Sequence, residues 1–112
     1  MSDPISSLQL SFGTELSLSA ASFTGSAVLI GELLEVPSII TFSNDTDVDV
    51  FLADNTGSTK GITLIAGKSI IVDCVTNKGL NASFLGFYKG KKFYATASAG
   101  TGTFRIGVFT AE

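Results

Sequence analysis

Residues 38–75 constrain the fold of this chain most, because apolar, β-branched runs alternate there with turn-forming residues. Residues 38–43 are β-branched and aromatic, and residues 44–47 end that run with Asn, Asp and Thr side chains that favour turns. In residues 48–53, Val48, Val50 and Leu52 recur with the period of two that is typical of a strand with two different faces. The pattern predicts two consecutive strands joined by a turn.

The second half of this stretch contains two more apolar runs, residues 62–65 and 69–75. Residues 66–68, with a central glycine, form a connection of the length that closes a hairpin. Residues 38–75 together therefore predict an antiparallel meander.

The flanking parts of the chain have the same character. Residues 8–12 and 16–18 alternate, whereas the apolar run 27–34 has no period that separates a strand from a helix. We interpret 27–34 as a strand, because Val28 and Ile30 are β-branched and Gly31 weakens a helix. Residues 80–87 are less regular, with room for a short strand, and residues 92–98 and 103–110 predict a terminal hairpin closed by the glycine-rich residues 99–102.

These patterns predict an all-β protein, a single-domain antiparallel β-sandwich spanning residues 1–112, jelly-roll-like and with about eight strands. Residues 1–7 contain Pro4 and few apolar side chains, and they predict a flexible or partner-binding arm. In each strand, every second side chain is expected to point inward, and these residues form the predicted core. Its members are Phe42, Val50, Leu52, Leu64, Ile70, Val72, Phe93, Phe104, Ile106 and Val108.

The chain is apolar and sparsely charged. Its hydrophobic fraction is 45% and only 15% of its residues are charged, against about 25% in typical soluble domains. A small domain has much surface to cover with polar groups, so this deficit indicates that other subunits cover part of it. The alternative is a monomer whose surface is rich in Ser, Thr and Gly.

Charge and hydropathy argue against two classes of partner. Nucleic-acid binding requires clustered Lys and Arg, whereas this chain has a net charge of −3 and a pI near 4.7. The locally basic residues 89–92 are interpreted as a solvated turn between aromatic pairs. No apolar run approaches the roughly 20 residues that span a bilayer, and the N-terminus lacks a leader pattern. We expect a protein made in the cytoplasm, without nucleic-acid or membrane partners.

The composition predicts no catalytic, cofactor-binding or metal-binding residues. Histidine is absent, which excludes histidine-dependent triads and dyads, and one cysteine without histidine leaves no zinc ligand set. Cys74 lies in an apolar strand pattern and is interpreted as a small buried side chain. The glycine-rich residues 99–103 lack the lysine and following helix of a phosphate-binding loop.

Asp45, Asp47 and Asp49 form the best constellation of charged residues, because alternate carboxylates can converge on one calcium ion. The pattern fails beyond them, since Val50 stands where such a loop requires glycine and Thr56 where it requires glutamate. We therefore favour a solvated turn, followed by a strand whose outward Asp49 discourages unwanted edge pairing.

Residues 38–112 resemble small virion proteins of tailed bacteriophages. The motifs that carry the resemblance are the turn-containing segments at residues 40–46, 66–69, 76–79 and 99–104. In size and character the chain is most similar to the head decoration, or cement, proteins of epsilon 15-like short-tailed phages. The resemblance implies a jelly roll on the capsid exterior that bridges neighbouring major capsid subunits, without catalytic residues. Residues 1–37 have no counterpart in it.

Two functions are therefore expected from the sequence. The first is a non-enzymatic virion structural protein, made in the host cytoplasm, whose partners are the major capsid protein and other copies of itself. The alternative is a tail- or fibre-associated module that binds a host surface glycan. The absence of tryptophan and the low surface charge favour the first.

Overall fold

Two antiparallel sheets face each other in the computed structural model, which describes residues 10–57, 59–74 and 87–111. The first sheet contains β1 (Leu10–Phe12), β2 (Leu16–Ser19), β4 (Ile39–Thr46), β7 (Ser69–Asp73) and β9 (Gly102–Ala111). The second sheet contains β3 (Val28–Glu32), β5 (Val50–Ala53), β6 (Ile62–Leu64) and β8 (Lys92–Thr96). A 3₁₀ turn at Ala20–Ser22 follows β2, and the described residues include no α-helix.

The strand order is that of a jelly roll, which confirms the predicted fold class. The first sheet runs β1-β9-β4-β7, with β2 also paired to β9, and the second runs β3-β8-β5-β6. From β2 onward the chain changes sheet at every step except the β5–β6 hairpin. Eight strands, β2 to β9, form the two four-stranded layers of this architecture, and β1 is an addition to the edge that β2 occupies.

The predicted meander and the predicted terminal hairpin are both wrong. Strands β6 and β7 lie in different sheets, as do β8 and β9. Strand β4 pairs with β9 over eight residues and with β7 over five, so both its edges are occupied and β5 must leave for the other sheet. Gly102 has a φ of 95°, and a Cβ there would collide with the Asp45 carbonyl, so only glycine admits this approach of β9 to β4.

The ambiguous run 27–34 contains strand β3 (Val28–Glu32), as predicted, with a β-bulge between Leu29 and Gly31, and the strand ends before Leu33. Of the irregular segment 80–87 only Phe87 is described, and it is not in a strand. The predicted arm at residues 1–7 and the turn at 76–79 lie outside the described residues.

Eight of the ten predicted core residues are buried between the sheets. Val72 is half-buried against them, whereas Ile70 is 39% exposed, so its assignment to the core is wrong. Ile70 lies opposite Phe42 in the register, so its side chain is on the inner side of the sheet, as predicted. Its strand, β7, is at the edge of its sheet, where the facing sheet covers it poorly.

A buried amide joins the two sheets. Asn44 of β4 is fully buried, and its Nδ2 donates hydrogen bonds to the carbonyls of Val48 (2.9 Å) and of Leu64 (2.8 Å) in β6. Its Oδ1 accepts from the backbone N–H and the hydroxyl of Thr46. The side chain is thus satisfied, as a buried polar group must be, while it fixes the turn between β4 and β5.

Candidate interaction surface

The outer face of the first sheet is built from residues that alternate with the core. Ile40 and Phe42 of β4 point inward, so Ile39 and Thr41 point outward. The register places Phe109 of β9 beside Ile39, and Phe12 of β1 beside Phe109. One row of apolar side chains therefore crosses three neighbouring strands on the surface.

This outer face is unusually apolar for a solvent-facing sheet surface. Phe12 is 87% exposed and Ile71 of β7 is 72% exposed, the two highest values among the large apolar side chains of the described residues. The rings of Phe12 and Phe109 lie 5.3 Å apart between centroids, so they contact each other rather than the core. We define the outer patch as Phe12, Ile39, Thr41, Ile71, Gly107 and Phe109.

The centre of the outer patch is flat. Gly107 of β9 lies opposite Thr41 of β4, and a Cβ on Gly107 would lie 2.5 Å from the Thr41 Oγ1. The Thr41 side chain occupies the space that a side chain on Gly107 would need, so only small groups lie between the protruding side chains of Phe12 and Ile71. A flat surface flanked by exposed apolar side chains suits contact with another protein surface.

The other half of the same face is polar. Arg105 lies between Glu15, at 3.5 Å from Nη1 to Oε1, and Asp45, at 3.7 Å from Nε to Oδ2. All three side chains are about half exposed, so the pairs contribute little to stability. They mark where the apolar patch ends.

The three alternate aspartates do not converge on one point. Asp45 faces Arg105, Asp47 Oδ1 accepts a hydrogen bond from the Thr101 N–H (2.8 Å), and Asp49 Oδ1 accepts one from the Ala66 N–H (3.0 Å). No cluster of three possible metal ligands exists among residues 10–57, 59–74 and 87–111. The carboxylates of Asp47 and Asp49 instead stabilise two turns at one end of the sandwich.

The role predicted for Asp49 is wrong. This residue precedes β5 rather than lying within it, and β5 is an interior strand with β6 and β8 on its two sides. Its carboxylate holds the connection between β6 and β7 through the Ala66 N–H.

Asp47 should make stability depend on pH in acid. The hydrogen bond from the Thr101 backbone holds the pKa of this carboxyl below its ordinary value of 3.8. A lowered pKa in the folded state contributes stability above the unfolded pKa, and that stability is lost as the pH falls through the folded pKa. We expect wild type to be more stable than Asp47→Asn at neutral pH, and the difference measured by urea denaturation should shrink as the pH falls below the ordinary pKa of 3.8. An equal difference at all pH values would contradict this role.

Cys74 is fully buried, as predicted, and belongs to the core. Burial, with a smaller contribution from the Asp73 charge, raises the pKa of its thiol. The thiol therefore stays protonated near neutral pH and has the character of a structural rather than a nucleophilic cysteine.

An open cavity of about 380 Å³ lies at the end of the sandwich opposite the Asp47 turn. Leu52, Ile62 and Phe93 form its apolar lining, and Asp54, Asn55 and Lys60 add polar groups. At this cavity Asp54 Oδ2 is 3.2 Å from the Nζ of Lys91, whose ammonium group is 5.4 Å from the centre of the Tyr88 ring. The mixture of apolar and polar groups can hold a small polar ligand.

The sequence did not single out Phe12 and Ile71 as surface residues, because exposed and buried apolar side chains have the same period. The apolar run 27–34 divides between Ile30 and Leu33 in the core and Leu29 and Leu34 on the surface, 45% and 49% exposed. A single signal was available for Phe12. It lies next to Gly13-Thr14, where the strand pattern is interrupted.

In the described part of the chain, no helix is long and apolar enough to cross a membrane. No protein-family model, curated protein or solved structure matches the chain.

Proposed function

We propose that the protein is a non-enzymatic virion structural protein that decorates the exterior of a phage capsid and stabilises it by bridging neighbouring major capsid subunits. The observation that carries the proposal is the outer patch, with Phe12 87% and Ile71 72% exposed on a flat sheet face. The resemblance of residues 38–112 to phage decoration proteins and the jelly-roll strand order support it.

The outer patch suits this role in its chemistry, because it exposes large apolar side chains. When a second protein covers exposed apolar surface, the free energy falls by about 25 cal/mol for each Å² removed from water. A decoration protein needs only modest affinity per copy, because it stabilises the assembled state alone and many copies act on one lattice. The partners in this proposal are the major capsid protein and other copies of the chain.

The proposal predicts that Phe12→Asp weakens attachment to heads without weakening the fold. Phe12 contacts Phe109 on the surface, so the melting temperature of the isolated protein should change little. A hot-spot residue of an interface carries about 2 kcal/mol or more, and Phe12 has this role in the proposal, so affinity for undecorated heads should fall at least about tenfold. Cosedimentation with purified heads, followed by denaturing gel analysis for the 11.6 kDa chain, measures the occupancy.

A matched control is Ile65→Asp, at an exposed apolar side chain in the turn between β6 and β7 and outside the patch. This variant should occupy heads as wild type does. Undiminished binding by Phe12→Asp would exclude the outer patch as the contact, and purified particles without the chain would exclude the virion role.

The cavity beside Asp54 favours a second function, the tail- or fibre-associated glycan-binding module. Asp54 and Asn55 present oxygen and amide groups of the kind that hydrogen-bond sugar hydroxyls, next to an apolar lining of Leu52 and Phe93. Retention on host polysaccharide that is lost in Asp54→Ala but kept in Phe12→Asp would favour this function over capsid decoration.

A further inference from the structure

In the part of the chain that the structure describes, β7 is the strand at a sheet edge with the fewest features that protect against pairing with another chain. Strand β3 is interrupted by a β-bulge and ends at Glu32, and β6 is three residues long. On the β1–β2 edge, Glu35 accepts hydrogen bonds from the backbone N–H and hydroxyl of Thr14 at the break between the two strands. Bulges, charges and short length are the devices that blunt an edge.

Strand β7 has neither a bulge nor a very short length, and its one charged residue, Asp73, is at its end. It is five residues long, its register with β4 is unbroken, and its first three residues are apolar or uncharged and exposed. Ile71 at its centre is 72% exposed and Ile70 is 39% exposed. An edge that is regular, exposed and apolar is a template for another strand.

The backbone of β7 also has the right phase to receive a partner. Cys74 N donates to the Ser38 carbonyl (2.7 Å) and Asn44 N donates to the Lys68 carbonyl (2.9 Å). The backbone N–H and C=O groups of the even-numbered residues of β7 therefore point toward β4. Because hydrogen-bonding groups alternate along an antiparallel strand, the N–H and C=O groups of Ser69 and Ile71 point away from β4. No strand among the described residues pairs with these groups.

We propose that two copies of the chain associate edge to edge through β7, related by a two-fold axis that passes beside Ile71. Antiparallel pairing about this axis places Ile71 opposite Ile71 of the second copy. Each Ile71 N–H then donates to the Ile71 carbonyl of the other copy, and the two exposed side chains lie together on the outer face.

This register also brings apolar side chains of the two copies together on the core side of the sheet. Ile70 lies opposite Val72 of the second copy on the core side, so the incompletely covered Ile70 gains an apolar neighbour. Such a contact is isologous, as in most soluble homodimers, and it closes on itself after two copies. It joins the two first sheets into one, and the outer patches of the two copies then lie on one continuous face. The inference concerns the isolated chain and stands whether or not the chain belongs to a virion.

Sedimentation equilibrium of the isolated protein tests the association. We expect a concentration-dependent dimer of twice the chain mass of 11.6 kDa, and a monomer for Ile71→Lys, which places two ammonium groups against each other. The matched control is Ile62→Lys, at an exposed isoleucine on β6, the edge of the other sheet, and it should dimerise as wild type does. A wild-type protein that remains monomeric at about 1 mM, or an Ile71→Lys protein that dimerises normally, overturns the proposal.

Cross-linking tests the register and does not depend on the lysine variant folding. Paired residues of a hydrogen-bonded antiparallel pair have Cα atoms about 5.5 Å apart, within the range that a disulfide spans. Ile71→Cys should therefore form a covalent dimer under mild oxidation on a non-reducing gel, whereas Ile65→Cys, exposed outside the strand, should not. The native Cys74 is buried and should not contribute. No cross-link at position 71 in a protein that dimerises would assign the contact to another surface.

Discussion

Replacing Phe104 with alanine is expected to lower the free energy of unfolding by about 3–5 kcal/mol. Phe104 is fully buried in β9, the strand that pairs with β1, β2 and β4. Removing its ring leaves a cavity that the surrounding strands cannot fill, because they are fixed by pairing on both sides of β9. A loss of this size is a large part of the roughly 5–15 kcal/mol that stabilises a typical domain.

Urea denaturation followed by circular dichroism measures this loss. Phe12→Ala is the matched control, since it removes the same ring from a side chain that is 87% exposed. That variant should change stability by less than about 1 kcal/mol. Similar losses for the two variants would mean that the inner and outer faces of the first sheet are reversed.

Replacing Asn44 with alanine is expected to lower the free energy of unfolding by about 3 kcal/mol, since each buried polar group left without a partner costs about 1–3 kcal/mol. The Leu64 carbonyl and the Thr46 backbone N–H both lose their hydrogen bond to the Asn44 amide. The link between β4 and β6 across the two sheets is lost with them. Urea denaturation again measures the change, with Asn55→Ala, at an exposed asparagine, as a control expected to lose far less.

Asn44→Asp separates the loss of hydrogen bonds from the loss of volume. The carboxyl group has nearly the same size, but its charged form would lie against the carbonyls of Val48 and Leu64. Burial raises the pKa of the introduced carboxyl, so this variant should be most stable in acid and lose stability as the pH rises through that raised pKa. A pH-independent loss equal to that of Asn44→Ala would instead mean that packing, not hydrogen bonding, explains the role of Asn44.

The strand content was predictable because alternation is a local property. The period of two places Val50 and Leu52 on one face whatever their partners are, and both are buried as predicted. Cys74 was likewise predictable as a buried side chain from the apolar run around it.

Exposure at the sheet edges was not predictable in the same way. Ile70 and Phe42 have the same phase, yet only Phe42 is covered, because β4 is central in its sheet and β7 is at the edge. The outer patch arises for the same reason, since no pattern in the sequence says which apolar face meets the other sheet. Asn44 looked like a turn residue, and its buried contact with Leu64 depends on two sheets that the sequence does not align.

By itself the sequence determined that this chain folds into antiparallel strands with tight polar turns, because side-chain alternation and turn propensity depend on neighbouring residues. Only the tertiary structure decided which strands share a sheet. A turn such as residues 65–68 reverses the chain equally well within a sheet or between two sheets. The choice follows from long-range pairing: β9 and β7 occupy both edges of β4, and the strands between them in sequence must form the facing layer.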